Sequence, residues 1–304
     1  MQASPRHEGL YAHMPFFDIA FEPEDLAHLE VFLRHLCRSL GRGELSSYLE
    51  TFCGPGYLMH RLARAGVRAY GVDEQGAATE YAREKAIREA RAAGGGARGN
   101  GQPGSPLSLA QPPFALPVRA LPTEFTLPQA VELAFCPRGG LRYLLSDEDV
   151  IAHFVAVARN LGAGGLYVLE LDHPGIYFGQ RRSLRQWRRH RGETRVAVEW
   201  REARQEIDPV RHTVEVEVTL NVVRTNEAPP QTSSTAPAPS AEELPTRIRD
   251  SAPLRCFTYR ELHALVKLAG VFEWVATFGD LDAIQPFDAS PGARAMVPVL
   301  RCCL

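Results

Sequence analysis

A chain of 304 residues, 45% of them hydrophobic, has enough apolar material for a large core in one elaborated domain or in a domain with a subdomain. A formal net charge of −2 excludes a strong field toward nucleic acid or an anionic membrane. No apolar run approaches the roughly 18 residues needed to span a bilayer, and the opening residues, MQASPRHEGLYAHMPFFDIAF, lack the basic-then-apolar pattern of a signal peptide.

In chain order, FEPEDLAHLEVFLRHLCRSL places Leu26, Leu29, Val31, Phe32, Leu33, Leu36 and Leu40 largely on one stripe, which predicts a helix. Tyr48, Leu49 and Phe52 read as the end of a buried strand, followed by a turn at Gly54 and Gly56. Leu58, Leu62 and Ala65 recur at helical spacing, Gly66 stops that helix, and VRAYGVD is a second short buried strand ending on Asp73. Residues 91–117 are rich in Gly and Pro without periodicity and predict a flexible insertion. AVELAFC (130–136) is a further buried strand. Ser146 caps a helix with Asp149 at its third position, and that helix runs through Val150, Ile151, Phe154, Val157 and Leu161 until GAGG ends it. LYVLEL (166–171) is the next strand.

Beyond it, RVAVEWREARQEIDPVRHTVEVEVTLNVVR holds two period-2 runs around Asp208-Pro209, a β-hairpin with one wet face. It follows the fifth core strand and so projects from the sheet edge where open α/β folds bind ligands, as a lid or an interface ribbon. Residues 226–253, rich in Pro, Ser and Thr, predict a second flexible insertion. Thr258 and Glu261 form a capping box for a late helix, and FEWVATFGD and AMVPVLRCCL are closing strands. Strands alternating with helices of this length imply an α/β, doubly wound parallel sheet covered on both faces. Six cysteines, at 37, 53, 136, 256, 302 and 303, show no CxxC pair and no metal-ligand spacing, which predicts free thiols, no metal and a reducing, cytoplasmic setting.

The first turn decides the ligand class. A dinucleotide fingerprint wants G-x-G-x-x-G/A, but the third small position here is Met59. Glu50 at the first strand tip would repel a pyrophosphate and suits a ligand bringing a cation, such as an amino-acid ammonium. Asp73 at the second tip suits a ribose diol, because one carboxylate accepts two hydroxyl donors. A ribose, an ammonium and no phosphate together describe S-adenosylmethionine.

At these residues the sequence resembles the class I S-adenosylmethionine-dependent methyltransferases, of the small-molecule type with an antiparallel flap after the fifth strand. LETFCGPG is similar to the family's first motif, GVDE to its second, and FFDIAF to an N-terminal segment whose aromatic closes over the cofactor. YLLSDEDVIAHFVAVARNLGAGGLYVLEL and RCFTYRELHALVKLAGVFEWVATFGDLD resemble its later helix-strand units. The resemblance implies a Rossmann-like seven-stranded sheet with an antiparallel last strand. It implies an N-terminal helical lid over 1–45, a methyltransferase domain over 46–304, and a hairpin flap at about 194–225 through which the chain could dimerise. It implies cofactor contacts from Phe17, Glu50, Phe52, Cys53, Gly54, Gly56, Asp73, Glu74, Leu121 and Cys136. Arg138, Gly139 and Gly140 stand where relatives often carry polar substrate-side residues.

The sequence also departs from the family. Phe52 replaces a small residue, and its ring either narrows the pocket or packs in the core; its even spacing from Glu50 puts both on one side of the strand and favours the core. Leu121 replaces an acid expected near the adenine. The expected activity is therefore methyl transfer to a small-molecule acceptor, the alternative being a catalytically weakened relative that acts as a binding or partner subunit. A hydroxyl acceptor usually needs a base and a neutral amine need not. His173, just past the fifth strand, is the base expected for the first case, or it merely ends the strand and caps a loop. Tyr177 and Trp187 are either pocket walls or aromatics packed under the flap. RRSLRQWRRHR, with six arginines in eleven residues, is either a phosphate or RNA contact or, as the overall charge favours, a solvated face. If both insertions are dispensable, limited proteolysis should cut first within 91–117 and 226–253, and the cut protein should still bind cofactor; protection of both segments would refute this.

Overall fold

The computed structural model describes residues 8–94, 115–178, 184–202, 207–224 and 246–304. The chain divides into two compact units, Pro23–Gln180 with Arg255–Leu304, and Met1–Glu22 with Arg181–Leu254.

The larger unit carries α3 (Leu26–Ser39), β1 (Ser47–Thr51), α4 (Tyr57–Arg64), β2 (Arg68–Asp73), α5 (Gly76–Gly94), β3 (Ala115–Arg119) and β4 (Val131–Cys136). These are followed by α6 (Asp147–Arg159), β5 (Leu161–Leu169), β6 (Leu171–Asp172), α7 (Gly175–Phe178), α8 (Tyr259–Ala269), β11 (Phe272–Phe278) and β12 (Ala295–Cys302). The strands form one sheet in the order β11-β12-β5-β4-β1-β2-β3, with the short β6 paired to β12. Strands β1 to β5 pair in parallel, and β12 runs antiparallel to both β5 and β11.

Alternate residues of β1 feed two cores. Tyr48 joins Leu33, Leu36, Leu58, Leu62 and Phe135 on one face of the sheet, and Leu49 joins Tyr70, Phe154, Val157 and Leu262 on the other. A strand covered on both faces reads as a near-unbroken apolar run, as β4 does with Glu132 its one charged residue. The two expected caps form. Ser146 Oγ accepts from the Asp149 N–H at 3.1 Å, and Thr258 and Glu261 close a reciprocal capping box.

The smaller unit carries α1 (Glu8–Tyr11) and α2 (Met14–Ala20) with β7 (Leu184–Arg191), β8 (Thr194–Glu202), β9 (Thr213–Arg224) and β10 (Thr246–Arg255). Its strands form an antiparallel sheet ordered β10-β9-β8-β7. The expected hairpin is the central pair, with Val198 opposite Leu220 and Trp200 opposite Val218. A strand is added on each side of it. The Arg-rich run supplies β7; its period-2 pattern is hidden because arginines occupy both faces. On the inner face Arg191 donates to Asp18 at 2.6 Å and to Glu22 at 2.9 Å, and the Trp187 indole donates to the Ala20 carbonyl at 2.7 Å.

Three boundaries differ from expectation. Helices α1 and α2 belong with the four-stranded sheet and α3 with the larger unit, so residues 1–45 are not one lid. The insertions are narrower than composition suggests: Arg91–Gly94 continue α5, Ala115–Pro117 begin β3, and 246–253 lie in β10. Pro253 is tolerated there because an edge strand need not donate from every residue. The remainder, 95–114 and 225–245, lies outside the described residues. GAGG does not merely end α6; it lies inside β5, whose register against β4 shifts there. Among the described residues, no helix is long and apolar enough to cross a membrane, and no cluster of His, Cys, Asp and Glu could hold a metal ion.

Candidate active site

Between β1 and α4 the backbone reverses through left-handed conformations at Phe52 (φ 53°), Gly54 (φ 51°) and Gly56 (φ 69°). Hydrogen bonds tie the turn to the tip of β2: Cys53 N–H donates to the Val72 carbonyl at 3.1 Å, and Gly54 N–H to Asp73 Oδ2 at 3.0 Å. Gly71 makes this approach possible. A Cβ there would stand 2.8 Å from both Cys53 Sγ and Met59 Sδ.

Two buried carboxylates flank the turn. Glu50 Oε2 accepts the Met59 N–H at 2.7 Å, with Tyr48 Oη at 3.5 Å. The acid therefore closes the first turn of α4, where exposed N–H groups favour negative charge. Burial pushes its carboxyl up to about 7, against the opposing pull of the Met59 N–H, Tyr48, Arg138 and Lys85. Asp73 is equally enclosed; Oδ1 accepts the Gln75 N–H at 2.9 Å while Oδ2 holds Gly54.

Of the other expected site residues, Glu74, Leu121 and Arg138 stand near these tips, and Tyr177 lies beside Asp172 of β6. Glu74 follows Asp73, and its carbonyl accepts from Arg119 Nε at 3.4 Å. Ala120 N–H donates to the Asp73 carbonyl at 3.1 Å, which brings Leu121, 40% exposed, to the carboxyl edge of the sheet. Arg138 adopts φ 50° after β4, its N–H donates to Glu170 Oε2 at 2.8 Å, and its guanidinium lies 5.8 Å from the Tyr57 ring. Tyr177 donates to Asp172 Oδ2 at 2.7 Å, and the Arg142 guanidinium covers its ring at 4.9 Å.

Several expectations change. His173 has both ring nitrogens committed: Nδ1 accepts the Gly175 N–H at 3.0 Å, so Nε2 donates to the Asp288 carbonyl at 3.0 Å. It anchors a loop, and no ring nitrogen is left to abstract a proton in this arrangement. Cys136 is fully enclosed beside Thr51 and Tyr167, its thiol pushed up to about 12 by burial, so its side chain belongs to the core. Cys53 is likewise buried, with its Sγ 3.8 Å from the Gly54 carbonyl. Phe17 and Trp187 lie in the smaller unit. There Phe17 packs between Tyr11 and Phe21, and Phe21 meets the Trp187 ring edge-on at 5.8 Å.

Phe52 joins the core, but on the face opposite Glu50. Strand alternation would keep the two together; the left-handed φ at 52 breaks it and swings the ring toward α6. There it stands 5.3 Å from the His153 ring, in space left by Gly140, where a Cβ would come within 2.8 Å of Phe52 Cβ. Sequence reasoning did not single out Glu170, Asp172 or Arg142. LELD, with carboxylates two apart as β5 runs into β6, was the available signal. Burial raises the Glu170 carboxyl, with the Arg138 N–H opposing it. Arg142 Nη1 donates to Asp172 at 2.7 Å and Nε to the Arg255 carbonyl at 2.9 Å.

No protein-family model and no curated protein matches this chain. Solved structures do match. An S-adenosylmethionine-dependent methyltransferase from Clostridium acetobutylicum superposes with a TM-score of 0.64 over 98% of this chain and 99% of that one, at 13% identity. The fold is that of the class I S-adenosylmethionine-dependent methyltransferases. A sugar N-methyltransferase from a Streptoalloteichus species gives a TM-score of 0.62 over 99% of this chain and 94% of its own, at 16% identity. An amino pentose methyltransferase from Micromonospora echinaspora, solved with S-adenosylmethionine bound, gives 0.58 over 99% and 100%, at 14% identity. At such identities the likeness is one of fold.

The turn generates a test that separates packing from backbone strain. Phe52→Gly loses a half-buried ring but relieves a left-handed residue, and should cost roughly 2 kcal/mol net. Phe52→Ala loses the same packing and keeps the strain, so it should be about 1 kcal/mol less stable than the Gly variant. Denaturant unfolding measures both; an Ala variant as stable as the Gly variant would show that the turn is not strained.

Proposed function

We propose that this chain binds S-adenosylmethionine across the tips of β1 and β2 and transfers its methyl group to a small-molecule acceptor. The observation that carries the reading is the pair of buried acids, Glu50 and Asp73, on either side of the Phe52–Gly56 turn. Glu50 would meet the ammonium. Asp73 would share its oxygens between the turn and the ribose diol, since each carboxylate oxygen accepts more than one hydrogen bond. The sulfonium is already an activated donor, so the protein's task is to align the acceptor with the methyl and exclude water. An amine acceptor fits best. His173 is committed to its loop, and a neutral amine needs no base during transfer. The fold-level neighbours that act on amino sugars agree with this choice. Six free cysteines agree with a reducing, cytoplasmic setting.

Calorimetry with S-adenosylmethionine tests the reading directly. Asp73→Ala should weaken binding by about 1.5–3 kcal/mol, the worth of hydrogen bonds to a charged acceptor. An Asp73→Asn control, which keeps an acceptor for Gly54, separates ribose contact from turn support; an Ala variant that binds like the parent sinks the assignment.

The raised carboxyl of Glu50 adds a pH signature. In the free protein it is protonated below about 7, and a ligand ammonium favours its ionised form. Affinity should therefore be highest just above that value, where the ligand ammonium is still charged, and fall as pH drops through it, approaching tenfold per unit. Glu50→Gln should bind more weakly and abolish the slope; a parent affinity flat from pH 5 to 8 contradicts an ammonium at Glu50.

A further inference from the structure

Helix α6 and the residue that caps its end turn two polar side chains into the core, His153 and Asn160, seven residues apart. Both grip the loop between β3 and β4. Asn160 Oδ1 accepts the Leu127 N–H at 2.7 Å, and Nδ2 donates to the Phe125 carbonyl at 3.0 Å. His153 Nδ1 lies 2.6 Å from the Pro122 carbonyl and Nε2 lies 2.7 Å from Tyr167 Oη. A carbonyl only accepts, so Nδ1 carries the hydrogen and Nε2 takes the tyrosine's proton in hydrogen bonding. Tyr167 Oη stands 3.4 Å from Thr51 Oγ1, at the end of β1 beside Glu50. A continuous buried chain therefore runs from Pro122 through His153 and Tyr167 to the tip of β1. A fully buried imidazole costs desolvation that an apolar side chain would not, and a satisfied polar network returns a single defined geometry.

What this network holds is a wall of the proposed cofactor site. With the ammonium at Glu50 on β1 and the diol at Asp73 on β2, the base leaves the far side of the ribose. It continues along the strand order toward β3 and the loop that follows. That loop begins at Ala120, bonded to the Asp73 carbonyl, and presents exposed Leu121 on buried Pro122. We propose that His153 is a positioning residue: its bond to the Pro122 carbonyl fixes the apolar platform at Leu121 on which the nucleobase of the cofactor rests. The proposal depends on the cofactor reading above. It assigns a role to a residue remote in sequence from both acids that flank the turn.

The experiment compares His153→Asn with His153→Gln. The Asn amide sits near Nδ1 and still donates to Pro122; the Gln amide reaches Tyr167 in place of Nε2 and releases Pro122. Calorimetry is run with S-adenosylhomocysteine and with adenosine, alongside melting temperatures and amide hydrogen exchange over 120–127. The Gln variant should bind both ligands roughly tenfold more weakly, the loss of about one hydrogen bond's worth of positioning. The Asn variant should stay within about threefold of the parent. Exchange across the loop should quicken in the Gln variant and not in the Asn variant. If the parent binds but both variants weaken equally and in step with their melting temperatures, His153 is structural and the proposal falls. If the parent binds neither ligand, the cofactor reading falls first and the proposal with it. Where a His153 variant does not fold, Tyr167→Phe removes one atom and leaves the Pro122 bond in place. It should bind like the Asn variant, within about threefold of the parent. A tenfold loss there would show that the Tyr167 end of the chain rather than the Pro122 bond sets the platform, which overturns the proposal.

Discussion

Two carboxylates on adjacent strand tips hold the first turn of this fold, and most of the site depends on them. Glu50 closes the start of α4 through the Met59 N–H, and Asp73 holds the Gly54 N–H across the gap between β1 and β2. The turn between them contains three left-handed residues, one of them a phenylalanine. Such a backbone persists only where its surroundings over-determine it. Here the over-determination comes from the acids, from the close approach at Gly71, and from the ring of Phe52 seated against His153 and Gly140.

This arrangement is expensive in the free protein and useful to a ligand. Taking a carboxylate out of water raises its affinity for a proton, as burial does at Glu50 and at Glu170. A cationic group arriving at such a site recovers part of that desolvation, so the acid binds it more strongly than a solvated one would. The same economy explains why the polar groups beneath the turn are linked. Thr51, Tyr167, His153 and the Pro122 carbonyl satisfy one another where the side chains are fully buried. The hydrogen bonds that make the core affordable also join the loop after β3 to the tip of β1.

Much of this architecture was readable from side-chain pattern. The capped helices at Ser146 and Thr258, the Gly54-Gly56 turn and the acids at both strand tips are local features, each set by residues within a few positions of one another. The hairpin of β8 and β9 was legible for the same reason, because period-2 alternation needs no distant partner. Strand β7 was not, since arginines on both faces erase the alternation. Their sorting into a solvated set and a set that meets Asp18 and Glu22 depends on α2, distant in sequence. Strands β3 and β10 were lost inside segments whose Gly and Pro content suggested no structure at all.

The sequence by itself determined the class of fold, the order of most core elements of the larger unit and the place of an acid at each of the first two strand tips, because these follow from local periodicity, caps and charge. Only the tertiary structure decided what individual side chains do. It committed both nitrogens of His173 to a loop, enclosed Cys136, and revealed Arg142 and Asp172 as partners beside Tyr177. It turned Phe52 to the face opposite Glu50, because one left-handed residue ends the alternation on which any strand-based assignment relies. It also drew His153 and Asn160 out of an ordinary amphipathic helix pattern and made them the grip on a loop some thirty residues earlier, a pairing that no local periodicity encodes.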